Sequence, residues 1–582
     1  MMRAIAFPVL ALFAACGPEP INGLPDGPIP PEGVILLEPV DLEVTIIDGA
    51  VITQPYAATL VTPDGDQADV TDEAVYSLRD SNYGNWNAET LSVTGQGSGP
   101  TRVQAMARGA SGDTGLTVFV KQTLVDPGVD PGVPGQFDGA TNDPSLAPLV
   151  VYPPDNILVP PNLGQFDVHW TTSTANVFEI RMSNQYVDIK RYTVGDLPGQ
   201  NYWTVLQPSQ WYPIASSRQQ LSLEVSGLNT NDPTKRGNAA VQHVDVTNEG
   251  AQGGIYYWTT SSPQGIFRYD IATPEVPPAP YFPAGQEPGG QGNCMGCHAL
   301  SRDGKRIALT IDSGEGRGTV MNVADRSVLV PFDTNAQRWN FATFNADASK
   351  LVTVFQGAMV LRSAEGGAVL TNIPNTGGTT ATHPELSPDG SRLVNVEGVS
   401  RIYDFEVYDG SIVTRTFDDT TNTFGATQTL VAAGTDGLQN YYPSYSPDGQ
   451  WIVFTRTGGT SYNSFDAETW VVKADGSQPP IKLQIAGLPQ GSLTNSWARW
   501  VPFGQTFGAS GEPMFYLTFS STRTFGVRIP GGGLPQIWMT PFFPAKAEAG
   551  QDPSGQAFRV PFQNVATSNH IAQWTQAIVV LQ

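Results

Sequence analysis

Two cysteines and a histidine stand together near the middle of the chain, in Cys294-Met295-Gly296-Cys297-His298. Thiolates are soft nucleophiles and ligands, and an adjacent imidazole adds a nitrogen donor. Two thiols separated by two residues can chelate zinc, cycle as a redox pair, or bond covalently to two electrophilic carbons of one planar group. Counting separates these. A structural zinc site takes four ligands, and the third and last cysteine, Cys16, lies close to the N-terminus, where it has a separate explanation. A thioredoxin-like pair needs a βαβ context, and the sequence shows none. What is left is a two-point covalent anchor, with His298 placed beside it to bind what the anchor holds.

The run is similar to the C-x-x-C-H attachment site of c-type cytochromes. That resemblance implies thioether bonds from Cys294 and Cys297 to a single haem c, with His298 as the proximal iron ligand. The approach is rich in Gly and Pro, with Pro277-Pro278-Ala279-Pro280 followed by Gly289-Gly290-Gln291-Gly292-Asn293. Residues 286–298 therefore read as a loop rather than as the helix of a separate small cytochrome domain.

The elements that must position this loop follow it directly. One pattern recurs: a large apolar residue, Ser or a substitute, one residue, Asp, Gly, then a β-run. It appears at Leu300-Ser301-Arg302-Asp303-Gly304, Phe344-Asn345-Ala346-Asp347-Ala348, Leu386-Ser387-Pro388-Asp389-Gly390 and Tyr445-Ser446-Pro447-Asp448-Gly449. A worn copy is Trp500-Val501-Pro502-Phe503-Gly504, and a truncated one starts at Trp574-Thr575. The first spacings, Ser301 to Asn345 and Asn345 to Ser387, are 44 and 42 residues. A period near 40 with several short strands per repeat is the mark of a β-propeller. Asp-Gly supplies the positive φ of a tight hairpin. The copies resemble the repeats of TolB-type propellers, which implies such a fold over 253–582.

Five complete copies and one split copy predict six blades. The chain stops at Gln582, before the last copy has outer strands, and Ile255–Thr259 and Gly265–Asp270 upstream look like the missing hairpin. Closing the ring by pairing both ends removes exposed sheet edges. Three of the five histidines, His298, His383 and His570, fall just before an innermost strand, and equivalent register would put all three around the channel mouth. His570, in the blade next to that of His298, is the expected distal iron ligand, and His383 is the second candidate. Met321 and Met359 fall within strands and are expected in the core.

Upstream, two modules alternate apolar and polar residues as β-sandwiches do. Residues 39–123 carry Tyr56-Ala57-Ala58-Thr59, Asp69-Val70-Thr71 and Tyr76-Ser77-Leu78, which resemble bacterial immunoglobulin-like repeats. Residues 148–252, with Phe166-Asp167-Val168-His169-Trp170, resemble a fibronectin type III sandwich around a buried Trp170. His169 is expected on the strand surface. Residues 124–147, with Asp126-Pro127-Gly128-Val129-Asp130-Pro131-Gly132, read as a solvated linker, and its acids as a calcium site only secondarily.

The N-terminus reads as an address. Arg3 precedes an apolar run that ends in Phe13-Ala14-Ala15-Cys16-Gly17. This resembles a bacterial lipobox, which implies a signal peptide over 1–15, lipidated Cys16 and a Pro/Gly tether over 16–38. The implied location is the outer membrane on either face, the alternative being soluble periplasm. Contact with the membrane would be through the lipid alone.

Composition excludes other classes. Lys plus Arg number 31 against 54 Asp plus Glu, for a net charge of −23. That balance excludes nucleic acid as a partner, since phosphate binding needs clustered cations. The expected fold class is all-β: two N-terminal sandwiches and a six-bladed propeller carrying a covalent haem. The expected function is electron transfer, with an unidentified redox or envelope protein as partner. The alternative is an envelope binding scaffold whose haem is structural or senses redox state. Peroxidase-type catalysis is the least favoured, because a second histidine would close the iron, and no Ser-His-Asp set or paired-carboxylate signature is visible.

Overall fold

The computed structural model describes residues 32–172, 174–195, 201–283, 297–311, 316–331, 337–434, 436–462 and 464–580. The expected signal peptide, Cys16 and Cys294 lie outside them. The architecture is all-β and falls into two compact units. No helix among the described residues is long and apolar enough to cross a membrane.

The first unit, up to Phe119, is a sandwich of short strands. Val34–Glu38, Ala57–Val61 and Gln67–Asp69 form one sheet, and Ile52–Pro55, Thr90–Val93 and Gly84–Asn87 another. Alternate residues face inward, among them Val44, Ile46, Leu91, Val93, Leu116 and Val118, as the period of two requires. The tether expected over 16–38 is corrected at its end: Val34–Glu38 is a strand, pairing with Ala57–Val61. Its uninterrupted apolar run hid the alternation that marks a half-exposed strand.

The second unit opens with another sandwich. Leu149–Tyr152, Phe166–Thr171 and Asn201–Leu206 form one sheet, and Val177–Ser183, Val187–Thr193 and Leu221–Asn229 lie in the other. Trp170 is buried between them. Two expectations are corrected here. The segment 124–147 is not a solvated spacer: Val129, Val133 and Phe137 pack on Val177, Tyr192 and Leu228, and the Asp126 carboxylate is bound by Arg191 at 2.9–3.1 Å. Nor is His169 on the surface. It is fully buried, because its face of the sheet is covered by the propeller, with the Phe525 ring centroid 4.6 Å away.

That joint is dense and specific. Arg528 Nη1 donates to Asp167 at 2.8 Å, and the guanidinium lies 3.7 Å from the Trp203 ring centroid. Tyr516 donates its hydroxyl proton to the Leu158 carbonyl at 3.0 Å. Glu249 accepts from the Thr506 amide at 2.7 Å. His243, without an assigned role from sequence, pairs through Nδ1 with Asp155 at 3.0 Å.

Six sheets form the propeller, four of four strands and two of five. Their innermost strands are β1 (His298–Leu300), β2 (Phe341–Phe344), β3 (Ala381–Leu386), β4 (Gln439–Tyr445), β5 (Ser496–Trp500) and β6 (Asn569–Thr575). Each neighbours the next in that order, and β6 neighbours β1, so the ring is closed. The sixth blade is split as the repeat count required: β6 pairs antiparallel with Gly254–Thr259, from Gly254↔Thr575 to Thr259↔Asn569. Gly265–Asp270 and Ala279–Pro283 complete it. Met321 and Met359 are buried in the hydrophobic clusters between sheets.

The repeat motif closes the turn after each innermost strand. Ser387 donates to Asp389 and accepts from the Arg392 amide at 3.0 Å. Ser301 and Ser446 do the same. In the second blade the Asn345 side-chain oxygen replaces the hydroxyl, accepting from Lys350 N at 2.8 Å. Gly304, Gly390 and Gly449 have φ of +73°, +72° and +71°, the left-handed turn position that favours glycine.

Candidate functional site

The central channel of the propeller holds a cavity of about 130 Å³, and the repeat register says which side chains build it. Successive side chains alternate faces along a strand. Four residues before the Ser position of each copy stand Cys297, Phe341, His383, Tyr442, Trp497 and Ile571. Two before it stand Ala299, Thr343, Glu385, Ser444, Arg499 and Gln573. All twelve line the cavity. The first set is a largely aromatic collar and the second a polar layer next to it.

Four of the six strands reach this arrangement through a β-bulge. The pairing register shifts between Thr382 and Glu385, between Tyr441 and Ser444, between Ser496 and Arg499, and opposite β6 between Tyr256 and Trp258. His383, Tyr442, Trp497 and Ile571 sit in the bulges with φ of +48°, +51°, +58° and +55°. A bulge re-aims one side chain, and holding bulky residues in this region costs on the order of 1–3 kcal/mol each. Ring stacking offsets part of that cost. Tyr442 and Trp497 have centroids 3.7 Å apart, His383 and Tyr442 4.0 Å, and Phe341 meets His383 edge-on at 4.6 Å.

The bulges also correct the histidine register. His298 stands three, His383 four and His570 five residues before the Ser position, so they are not equivalent. His298 lies in unbulged β1, paired with Leu309. The pleat turns its ring toward the seam with the sixth blade, where Nε2 lies 3.3 Å from the Tyr256 carbonyl oxygen. His570 stands opposite Trp258 and is not among the residues lining the cavity. Burial, with the charge of nearby His298, lowers its pKa to about 4. Like His298, His383 lines the cavity. The Tyr442 amide lies 3.5 Å from its Nδ1, and its buried Nε2 has no partner. Burial and the charge of Arg499 hold that ring neutral.

Sequence reasoning missed the polar layer. Glu385 accepts from the Ser444 hydroxyl and the Tyr445 amide, both at 2.9 Å, and its other oxygen lies 3.9 Å from Arg499 Nε. Burial pushes the Glu385 carboxyl up, against the pull of Arg499. Arg302, one residue after Ser301, borders the same cavity, and burial pulls its pKa down. The signal was present: these residues fall at fixed offsets from the repeat motif.

For a haem the donor set is suitable in kind. Cys297 is half-buried on the cavity wall, flat aromatic side chains stand beside it, and the His383 Nε2 is a buried nitrogen lacking a partner. Iron at His298 would require Nε2 to leave the Tyr256 carbonyl. Among the described residues no group of three or more His, Cys, Asp and Glu could hold a metal ion.

No family model matches the chain, and no curated protein matches it. Among solved structures it is similar to TolB from Acinetobacter baumannii, at 13% identity over 74% of this chain and 99% of that one, with a TM-score of 0.37. A putative TolB from Agrobacterium tumefaciens matches at 15% identity over 56% and 94%, with a TM-score of 0.30. Kuenenia stuttgartiensis hydrazine synthase matches at 13% identity over 47% and 67%, with a TM-score of 0.29. The six-bladed architecture rests on the strand order and ring closure of this chain.

Proposed function

We propose that the chain is an exported, lipid-anchored c-type haem protein that transfers electrons. The observation that carries the reading is Cys297-His298 of the C-x-x-C-H run at the entry of β1, with Cys297 on the wall of an aromatic-lined channel cavity. A haem bound there supplies one-electron chemistry at its iron. The chain's own residues do the rest. Cys294 and Cys297 would attach the group, and His298 would hold its iron. Phe341, Tyr442 and Trp497 provide walls that exclude water. The second imidazole is assigned to His383 ahead of His570, since His383 borders the cavity and its Nε2 is without a partner. The two sandwiches, read as immunoglobulin-like and fibronectin type III-like modules, lie between lipidated Cys16 and the propeller in the sequence. The joint at Asp167 and Arg528 makes the second sandwich a stiff mount.

A second reading, an envelope scaffold whose channel face binds a protein, is favoured by one patch. Ile402, Tyr403, Tyr462 and Phe465 are exposed near the collar, where Phe405 accepts from the Tyr442 hydroxyl through its carbonyl at 3.3 Å.

The test is the denatured chain purified from cells with a c-type maturation system. Haem that stays with the polypeptide, and is lost in Cys294→Ser/Cys297→Ser, is the expected result. A chain without covalent haem overturns the reading. In the loaded protein His383→Ala is expected to convert a low-spin spectrum to high-spin. The same change in His570→Ala alone would return the ligand to the sixth blade.

A further inference from the structure

The polar layer of the channel is chemically unbalanced, and the imbalance points to a ligand. Arg302 and Arg499 bring two fixed positive charges to the cavity, and Glu385 one negative charge. Glu385 is already pinned by Ser444 and Tyr445 and faces Arg499 with its remaining oxygen. Arg499 spends one N–H on its neighbour Ala498, at 2.9 Å. Its approach to Glu385, at 3.9 Å, is longer than a hydrogen bond. Arg302 makes no ion pair and no side-chain hydrogen bond among the described residues, although burial dominates its surroundings. Arg302 is only partly buried, and its planar guanidinium, without a partner among the described residues, can meet an anion in the cavity. Elsewhere among the lining residues, His383 Nε2, Trp339 Nε1 and Asn340 Oδ1 are buried polar atoms without partners. Two of them are nitrogens able to donate.

We infer that the channel cavity receives a carboxylate group, bound in the main by Arg302 and secondarily by Arg499, with Glu385 holding Arg499 in place. The planar guanidinium matches a carboxylate with two parallel hydrogen bonds, which is the strongest pairing available to either group. Two sources share this chemistry: the propionates of a haem attached at Cys297, which rests on the function proposed above, or a free small carboxylate.

The experiment uses the full-length chain loaded with haem, and its haem-free Cys294→Ser/Cys297→Ser form. Sodium acetate is the probe, against sodium chloride at equal ionic strength, read by calorimetry and by fluorescence of the cavity tryptophans. The haem-free chain is expected to bind acetate saturably. Arg302→Gln should weaken binding at least tenfold and Arg499→Gln less, while Arg302→Lys, which keeps the charge without the fork, should fall between. If propionates are the source, loading abolishes acetate binding, and Arg302→Gln in the loaded chain lowers the midpoint potential by removing a cation near the iron. If a free carboxylate is the source, loaded and haem-free chains bind acetate alike. Acetate binding no stronger than chloride, or binding indifferent to both Arg302 variants, overturns the inference. Should Arg302→Gln fail to fold, Arg302→Lys carries the comparison. A chain that never acquires haem would defeat the haem reading, while the acetate titration would still decide the channel.

Discussion

Removing residues 569–582 tests the closure on which the site depends. These residues supply β6, the innermost strand of the sixth blade, and they are tied on three sides. Trp574 Nε1 donates to Thr518 in the fifth blade at 2.9 Å, the Gln576 amide donates to the Arg302 carbonyl in the first at 2.7 Å, and Arg268 holds the Val579 carbonyl at 2.7 Å. Without β6 the edge of Gly254–Thr259 is bare, and Ile255, Tyr256 and Trp258, at most 1% exposed, lose part of their cover. Fully burying such a side chain contributes about 1.5–3 kcal/mol. Half-exposing three of them costs roughly 2–5 kcal/mol, a large share of a net stability of about 5–15 kcal/mol. The expected fall in melting temperature is on the order of 3–7 °C for a propeller of this size, with new proteolytic cuts between Gly254 and Thr259. Near-UV circular dichroism and limited proteolysis of the truncated chain read both. A gentler version is Gly254→Val, whose Cβ would stand 2.3 Å from Ile578 Cδ1 and press the closing segment outward. A truncated chain that melts within about 2 °C of the intact one would refute closure through β6.

Three further outcomes follow from particular contacts. Ser446→Ala removes a buried hydroxyl that serves Asp448 and the Trp451 amide and should cost about 1–3 kcal/mol by chemical denaturation; Ser446→Asn should cost less, since Asn345 fills that place in the second blade. Burial alone would raise the Asp167 carboxyl, but the His169 ring, with Nε2 3.5 Å away, and the charges of Arg559 and Arg528 bring it below the ordinary value. Its stabilisation of the joint is therefore present above the ordinary aspartate range and lost as pH falls through the lowered value, so Asp167→Asn should melt lower near neutrality and lose less on acidification. Cys16→Ser should release the protein from membranes into a soluble fraction, and unchanged membrane association would remove the lipid anchor.

How far the sequence could be read depended on whether a signal was local. Ser387-Pro388-Asp389-Gly390 closes its own turn, so the residues that make the contacts are the ones that recur. That is why blade count and the split blade were legible. The bulges were not. Nothing in Thr382-His383-Pro384-Glu385 alone says that His383 and Pro384 will together oppose the single residue Asn395. The histidines looked equivalent because each falls just before an innermost strand, although counting back from the Ser position already sets them three, four and five residues away. His169 failed for a related reason: its burial comes from Phe525, more than three hundred residues away. Linker residues Val129, Val133 and Phe137 were masked by the surrounding Pro, Gly and Asp, which describe the turns and not the apolar side chains between them.

The symmetry of the ring explains how one site can be both rigid and specific. Six strands deliver six side chains to each layer of the channel, and in four blades a hydrogen-bonded turn closed by Ser301, Asn345, Ser387 or Ser446 follows the strand. Selection at a single offset then changes one wall without moving the others. At the collar this yields a thiol, three aromatic rings, an imidazole and an isoleucine. Two residues further in, the same scaffold yields one carboxylate, one guanidinium and uncharged neighbours. Apolar flat surfaces stand beside the thiol, and charge is kept to the adjoining layer, which is the division an amphipathic planar group with ionised edges requires. The neutral state of His383 belongs to the same division: an imidazolium at the collar would add a third cation beside Arg499 and Arg302, whereas the neutral ring stacks on Tyr442 and leaves the charge imbalance where a carboxylate can meet it.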